Sequence, residues 1–346
     1  MVMNNKLLTI VVPCYNSAFY VRKCVDSLLT GRERVEIIIV NDGSTDDTGA
    51  IADSYASEYP DTVRVIHQEN GGHGEGINQG LKHATGTYFK VVDSDDRLGE
   101  DELQTLLDRL DELEPQGGVD LVVTDYVYQN IHNINKEKHQ TIRYWNIFPE
   151  NEVVTWSETR PFTEHQYITI HSATFRTQLL RDNWVDLPKH TFYEDNLYIY
   201  LALPMTKKLL YLNIGLYHYT IGRDGQSVAD QTMKKRYRDQ IKVALQVLAA
   251  HDITAITQQE RKLGKYMYHE AKMMFVIATV FARLNKTREA DEHVIAMWDE
   301  ASRIDPVVIR RMRYFSEAFW LNRPGRVGRA LCNALFKFAH SIVRFN

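Results

Sequence analysis

The sequence predicts an α/β fold: a mainly parallel sheet flanked by helices, followed by a helical C-terminal region. Three observations carry this. Short, β-branched, almost continuously apolar runs at residues 7–13, 35–40, 63–66 and 88–92 alternate with helical spacing, as expected of parallel strands buried on both faces. The links between them are short, which calls for right-handed crossovers. Polar or glycine-rich stretches follow three of these runs, at 42–46, 69–76 and 93–96. They therefore share one carboxyl edge of the sheet, where open α/β folds bind ligands.

The first strand stops at Pro13, and Cys14-Tyr15-Asn16 forms a loop at that edge. Ser17 is suited to cap a helix running to Leu29, with Gly31 beyond its end. The second strand breaks at Asn41-Asp42-Gly43-Ser44-Thr45-Asp46, a run of turn and capping residues in which Asp42 can accept a hydrogen bond from a base or ribose. After a helix and the third strand, the glycines at 71, 72, 74 and 76 allow close approach of backbone to a ligand, and a helix is expected over 77–83. The fourth strand runs into Asp93-Ser94-Asp95-Asp96. A strand interior does not tolerate three carboxylates, because each loses hydration unless paired or metal-bound. Asp93 and Asp95, one residue apart, can present oxygens to one hard cation, and Mg²⁺ typically bridges such carboxylates to phosphates. An acidic turn before a helix cap accounts for the same residues.

A helix is expected over 100–113, broken at Pro115-Gln116-Gly117-Gly118, then a strand at 119–128. Residues 129–165 read as antiparallel strands and a long loop, 169–176 as a strand and 177–183 as a short helix. Phe192-Tyr193-Glu194-Asp195-Asn196 opens a helix to 203; its acidic pair serves either the helix dipole or chemistry. Residues 209–212 and 216–219 read as two paired strands, followed by a polar segment containing Arg223. From 231 onward helical spacing dominates. The expected division is an α/β region at 1–228, in halves 1–115 and 116–228, and a helical region at 229–346. The segment from Arg326 to Arg344 places Leu331, Leu335, Phe338 and Ile342 on one stripe. Such a basic amphipathic helix either lies in a membrane interface or packs on its own domain.

The formal net charge of −4 gives no basis for general nucleic-acid binding. Cys14, Cys24 and Cys332 are odd in number and lack metal-ligand spacing, which suits free thiols in a reducing compartment. The apolar run at 7–12 reads as a first strand, not a signal peptide. No stretch approaches the roughly 20 apolar residues that span a bilayer. The expected location is the cytoplasm, with the inner face of the membrane as the one alternative.

Val12-Pro13-Cys14-Tyr15-Asn16, Val40-Asn41-Asp42-Gly43-Ser44-Thr45-Asp46, Asn70-Gly71-Gly72 with Asn78-Gln79-Gly80, and Val92-Asp93-Ser94-Asp95-Asp96 together resemble family 2 glycosyltransferases of the Rossmann-like GT-A fold. Order and spacing both match, over about the first 230 residues. The resemblance implies inverting, metal-dependent transfer of one hexose from a nucleotide donor, usually a UDP-sugar. The acceptor would be a saccharide or polyprenyl-linked saccharide in cell-surface or exopolysaccharide synthesis. It implies that Pro13, Tyr15 and Asp42 surround the base, and Asn16, Gly71, Gly72, Asn78 and Ser94 are carried over as donor-binding. Asp93 would contact the ribose side and share the metal, Mn²⁺ or Mg²⁺, with Asp95. Asp195 would be the base, with Glu194 orienting it or binding acceptor hydroxyls, and His218 and Arg223 would close over the diphosphate. Ile77 stands where the family often has a basic residue, and His73 and Glu75 stand in the glycine loop, His73 being either a donor contact or merely exposed. The Gln-x-x-Arg-Trp motif of processive synthases is absent, so one sugar per encounter is expected. A catalytically silent scaffold or carbohydrate-binding partner in a polysaccharide assembly complex is the alternative; it predicts loss of the metal carboxylates or the base, and both are present.

Overall fold

The computed structural model describes residues 6–130, 140–163, 166–222, 226, 229–323 and 325–342. Two compact units divide at Ile221/Gly222.

The first unit is α/β. Its elements begin β1 (Leu8–Cys14), α1 (Val21–Leu29), β2 (Val35–Asp42), α2 (Thr48–Glu58), β3 (Val63–Gln68), α3 (His73–His83) and β4 (Tyr88–Val91). They continue β5 (Arg97–Leu98), α4 (Glu100–Leu113), β6 (Leu121–Asn130), β7 (Gln140–Ile142), β8 (Val153–Val154) and β9 (Ala173–Arg176). Helices α5 (Thr177–Asp182) and α6 (Glu194–Ala202) and strand β10 (Leu209–Ile221) complete it. The sheet order is β3-β2-β1-β4-β9-β6-β10-β5, with β7 on β6 and β8 on β10.

Strands β3, β2, β1 and β4 are mutually parallel, β9 runs antiparallel between β4 and β6, and β10 runs parallel to β6. Every residue of β1 and β2 is buried, which is why their central runs, 10–12 and 37–40, are apolar without alternation. Helix α1 covers the sheet with Val21, Cys24, Val25 and Leu28, and α4 with Leu103, Leu106, Leu107, Leu110 and Leu113. These are single stripes at helical spacing, each side chain contributing roughly 1.5–3 kcal/mol by burial.

Several elements depart from expectation. Residues 209–219 form one strand, not a hairpin. The pairing with β6 shifts register around Gly215, and a side chain there would meet Val127 at 2.8 Å. Gly215 thus marks a bulge, so the chain keeps its direction. Helix α1 begins at Val21 with Tyr20 at its cap, because Ser17 is engaged elsewhere: its Oγ lies 2.7 Å from Ser94 Oγ. Helix α3 starts at His73, four residues before the expected position. Residues 169–172 form a turn ahead of β9, closed by Ser172 N–H donating to Thr169 O at 3.0 Å.

The second unit is helical: α7 (Asp230–Lys235), α8 (Tyr237–Ala250), α9 (Ile253–Gln259), α10 (Arg261–Leu284), α11 (Arg288–Ile304), α12 (Pro306–Tyr314), α13 (Ala318–Leu321) and α14 (Gly325–Ile342). Helix α10 packs against α8, α9, α11 and α14. Leu331, Cys332, Leu335 and Phe336 of α14 join Val276, Val280 and Leu284 of α10; the side chains of Phe338 and Ile342 lie outside the described residues. No helix among the described residues is long and apolar enough to cross a membrane.

Candidate active site

The carboxyl edges of β1, β2 and β4 converge as the alternation required. Asn16 takes φ +51°; its side chain accepts from Thr45 N–H at 2.8 Å, and its own N–H donates to Ser44 Oγ at 3.0 Å. The loops after β1 and β2 are thereby one surface, on which the Tyr15 ring is 54% exposed. Asp42 is buried, and its carboxylate accepts from Gly71 N–H at 2.7 Å, Gly72 N–H at 2.8 Å and Gln68 Nε2 at 2.6 Å. Its observed work is to hold the glycine loop. Gly72 is required there, since φ is +88° and a Cβ would meet His190 N at 2.9 Å. Asn78 fixes the loop before α6 by donating to Leu187 O at 3.1 Å and accepting from Leu187 N–H at 2.9 Å.

The acidic motif after β4 is held from β10. Tyr217 donates to Asp96 Oδ2 at 2.7 Å and accepts from Asp93 N–H at 3.1 Å, and Thr220 N–H donates to Asp96 Oδ1 at 2.7 Å. Ligand atoms of Asp93, Asp96 and His171 lie within 4.8 Å of one another. Burial, and then the charge of Asp93, pushes Asp96 well above the usual carboxylate range. Burial opposes ionisation of Asp93 too, but the hydrogen bonds and charges of His171 and His73 outweigh it and hold that carboxyl below the usual range. Two crowded carboxylates beside an imidazole suit a divalent cation, which would relieve their repulsion. The buried Nδ1 of His171 has no hydrogen-bond partner among the described residues. This donor set contains Asp96 and His171, where sequence reasoning assigned Asp95; Asp95 lies half-buried in the same turn.

Sequence separation hides the next feature. His73, at the start of α3, donates from Nε2 to Asp93 Oδ1 at 2.9 Å and from Nδ1 to Glu194 Oε1 at 2.8 Å. Burial disfavours its charge, yet the two carboxylates outweigh burial and raise its pKa well above the usual value. An imidazolium thus joins the acidic motif to the acidic pair about 100 residues later. Glu194 is buried at the first turn of α6, after Tyr193 in the left-handed conformation at φ +70°. A non-glycine residue there stores strain, a feature concentrated at functional sites. Burial, and then the charge of Glu194, raises Asp195 to about 6.

Two further residues shape this edge. Lys90 is fully buried in β4 and donates to the carbonyls of His171 at 2.8 Å and Ala173 at 3.2 Å, fixing the turn that carries His171. The His171 ring lies between tyrosines, 4.7 Å from Tyr217 and 4.5 Å from Tyr219. Lys90 was legible as a lone charge in an apolar strand; nothing in the sequence marked His171. Among the remaining expected donor contacts, Pro13 lies inside β1, which continues to Cys14 rather than stopping at the proline, and Ser94 is buried against Ser17. His218 Nδ1 accepts from Arg97 Nη2 at 3.1 Å and Gln129 Nε2 at 2.7 Å. Arg223 lies outside the described residues.

The fold and this edge define an α/β protein of the GT-A kind, with an acidic cluster and a carboxylate pair joined by His73. The model of Glycosyl transferase family 2 matches residues 9–179. The uncharacterized glycosyltransferase EpsJ of Bacillus subtilis is 30% identical over 248 residues, covering 68% of this chain and 69% of that protein. The chain belongs to glycosyltransferase family 2. Glycosyltransferase GlyA of Streptococcus pneumoniae is 31% identical over 235 residues, 66% of this chain but only 32% of that protein, so the chain spans about a third of GlyA. Residues 1–349 of S. aureus TarS, solved in complex with UDP-GlcNAc, superpose with a TM-score of 0.66 at 20% identity, covering 96% of this chain and 92% of that one. That likeness is one of fold.

Proposed function

We propose that this chain moves one hexose from a UDP-sugar to a hydroxyl of a saccharide or lipid-linked saccharide, with inversion, in cell-surface polysaccharide synthesis at the inner face of the membrane. The observation that carries the reading is the His73 bridge between Asp93 and Glu194, because inverting transfer needs a donor site and a base on one cleft. The Asp195 carboxylate takes the acceptor hydroxyl proton as the new bond to the anomeric carbon forms and the bond to the diphosphate oxygen breaks. The nucleoside diphosphate leaves with the electron pair of that broken bond. A pKa of about 6 keeps Asp195 ionised at neutral pH while making it a stronger base than an ordinary aspartate. Glu194, tied to His73, orients Asp195 or binds acceptor hydroxyls.

Asp93 and Asp95, with Asp96 and His171 beside them, would hold Mn²⁺ or Mg²⁺, which when bound supplies positive charge against the departing diphosphate. Pro13, Tyr15, Asn16 and Asp42 serve the base and ribose. Gly71, Gly72, Asn78 and Ser94 would shape the donor floor, and the family resemblance gives His218 and Arg223 the role of serving the diphosphate. The UDP-GlcNAc carried by TarS supports a UDP donor. Peripheral contact with the membrane through the helical C-terminal region completes the reading. UDP release measured over a panel of UDP-sugars, with Mn²⁺ and with chelator, tests it. Metal-dependent release with at least one donor is expected; no release with any donor and acceptor extract would overturn it.

A further inference from the structure

We propose that the corner between α12 and α13, rather than the apolar stripe of α14, is the surface by which this chain docks on an anionic lipid bilayer. The inference rests on the membrane-contact part of the function proposed above. Among the described side chains of α14, Leu331, Leu335 and Phe336 are already occupied, packing with α10, and the Phe336 ring meets Phe281 edge-on at 5.7 Å. The corner is open. Tyr314 is 57% exposed, Phe315 79% and Trp320 59%, and all three lie within seven residues across one turn. Five of the thirteen large hydrophobic side chains exposed among the described residues fall between Val307 and Val327, so apolar exposure is concentrated here.

The charge matches one partner chemistry. Between residues 306 and 330 the sequence holds six arginines and a single acidic residue, Glu317, in a chain of net charge −4. Glu317 is itself paired with Lys272 at 2.9 Å. Arg310 and Arg323 are exposed, and the Arg323 guanidinium lies over the Phe319 ring at 4.2 Å and near the Trp320 ring at 5.6 Å. Arginines interleaved with exposed rings suit a bilayer interface: rings settle at headgroup depth while guanidinium groups meet lipid phosphates. The corner is also rigidly presented. Buried Arg283 of α10 donates from Nη1 to Leu321 O and Arg323 O, both at 2.6 Å.

The test uses the full chain in co-sedimentation with phosphatidylcholine vesicles, with and without phosphatidylglycerol. Wild type should partition onto the anionic vesicles only. R310A/R323A should weaken this by about fivefold per arginine, and F315S/W320S by about tenfold or more. K337E, on the exposed side of α14, should bind as wild type. UDP release from each variant should match wild type. The inference is overturned if F315S/W320S binds as tightly as wild type, or if K337E alone abolishes binding, which would return the contact to α14. It is also overturned if sedimentation velocity without lipid shows an oligomer that F315S/W320S dissolves, since the corner would then be a self-interface. Absence of vesicle binding with normal UDP release would overturn the docking surface and leave the transfer reaction intact.

Discussion

Replacing His73 tests whether the two acidic groups work as one site. His73 makes two charge-assisted hydrogen bonds, to Asp93 at 2.9 Å and Glu194 at 2.8 Å, each of a kind worth about 1.5–3 kcal/mol. The side chain is 35% exposed, so solvent screening reduces the pair to about 2–4 kcal/mol. His73→Ala should therefore lower kcat/KM by about thirtyfold to a thousandfold. A second readout separates this from loosened packing. The His73 charge lowers the Asp195 pKa, so removing it should move the acidic limb of the pH profile upward from about 6. His73→Gln, which restores a donor without the charge, should recover part of the rate but not the limb. The assay is UDP release at saturating metal across mildly acidic to neutral pH. A variant with kcat/KM within about threefold of wild type and an unmoved limb would refute the reasoning.

The Asp195 carboxyl sits above its ordinary value, so it keeps its proton to higher pH; the base form is present above about 6 and is lost as pH falls through it. Wild-type kcat/KM should fall about tenfold per pH unit below that point, and a flat profile would remove Asp195 as base. In Mn²⁺ titrations, Asp95→Asn, Asp96→Asn and His171→Ala should each weaken the ion, by about tenfold or more. Unchanged affinity in any of them takes that residue out of the ligand set. Lys90→Met leaves the carbonyls of His171 and Ala173 buried without their donor; it should cost about 2 kcal/mol of stability in urea unfolding, and an unmoved midpoint would deny the positioning role.

Strands β1, β2 and β4 and the polar loops were legible because parallel strands buried on both faces must be apolar, and carboxylates must then stand at strand ends. Helix α4 was legible for a similar local reason: its leucine stripe and acidic first turn fix both face and start. Strand β10 misled because a bulge at Gly215 carries the composition of a turn. The His73 bridge was invisible since its partners lie 20 and 121 residues away, and no local rule pairs them. His171 was hidden similarly; it sits in a turn before β9 and meets Asp93 only after β9 inserts between β4 and β6.

The most direct measurement compares donor binding and turnover in Asp195→Asn. The side chain keeps its size and loses only its basicity, so calorimetric affinity for the UDP-sugar with Mn²⁺ should stay within about twofold of wild type while kcat drops at least about a hundredfold. Near-normal turnover by that variant, or loss of donor binding in step with turnover, would contradict the claim that this carboxylate deprotonates the acceptor.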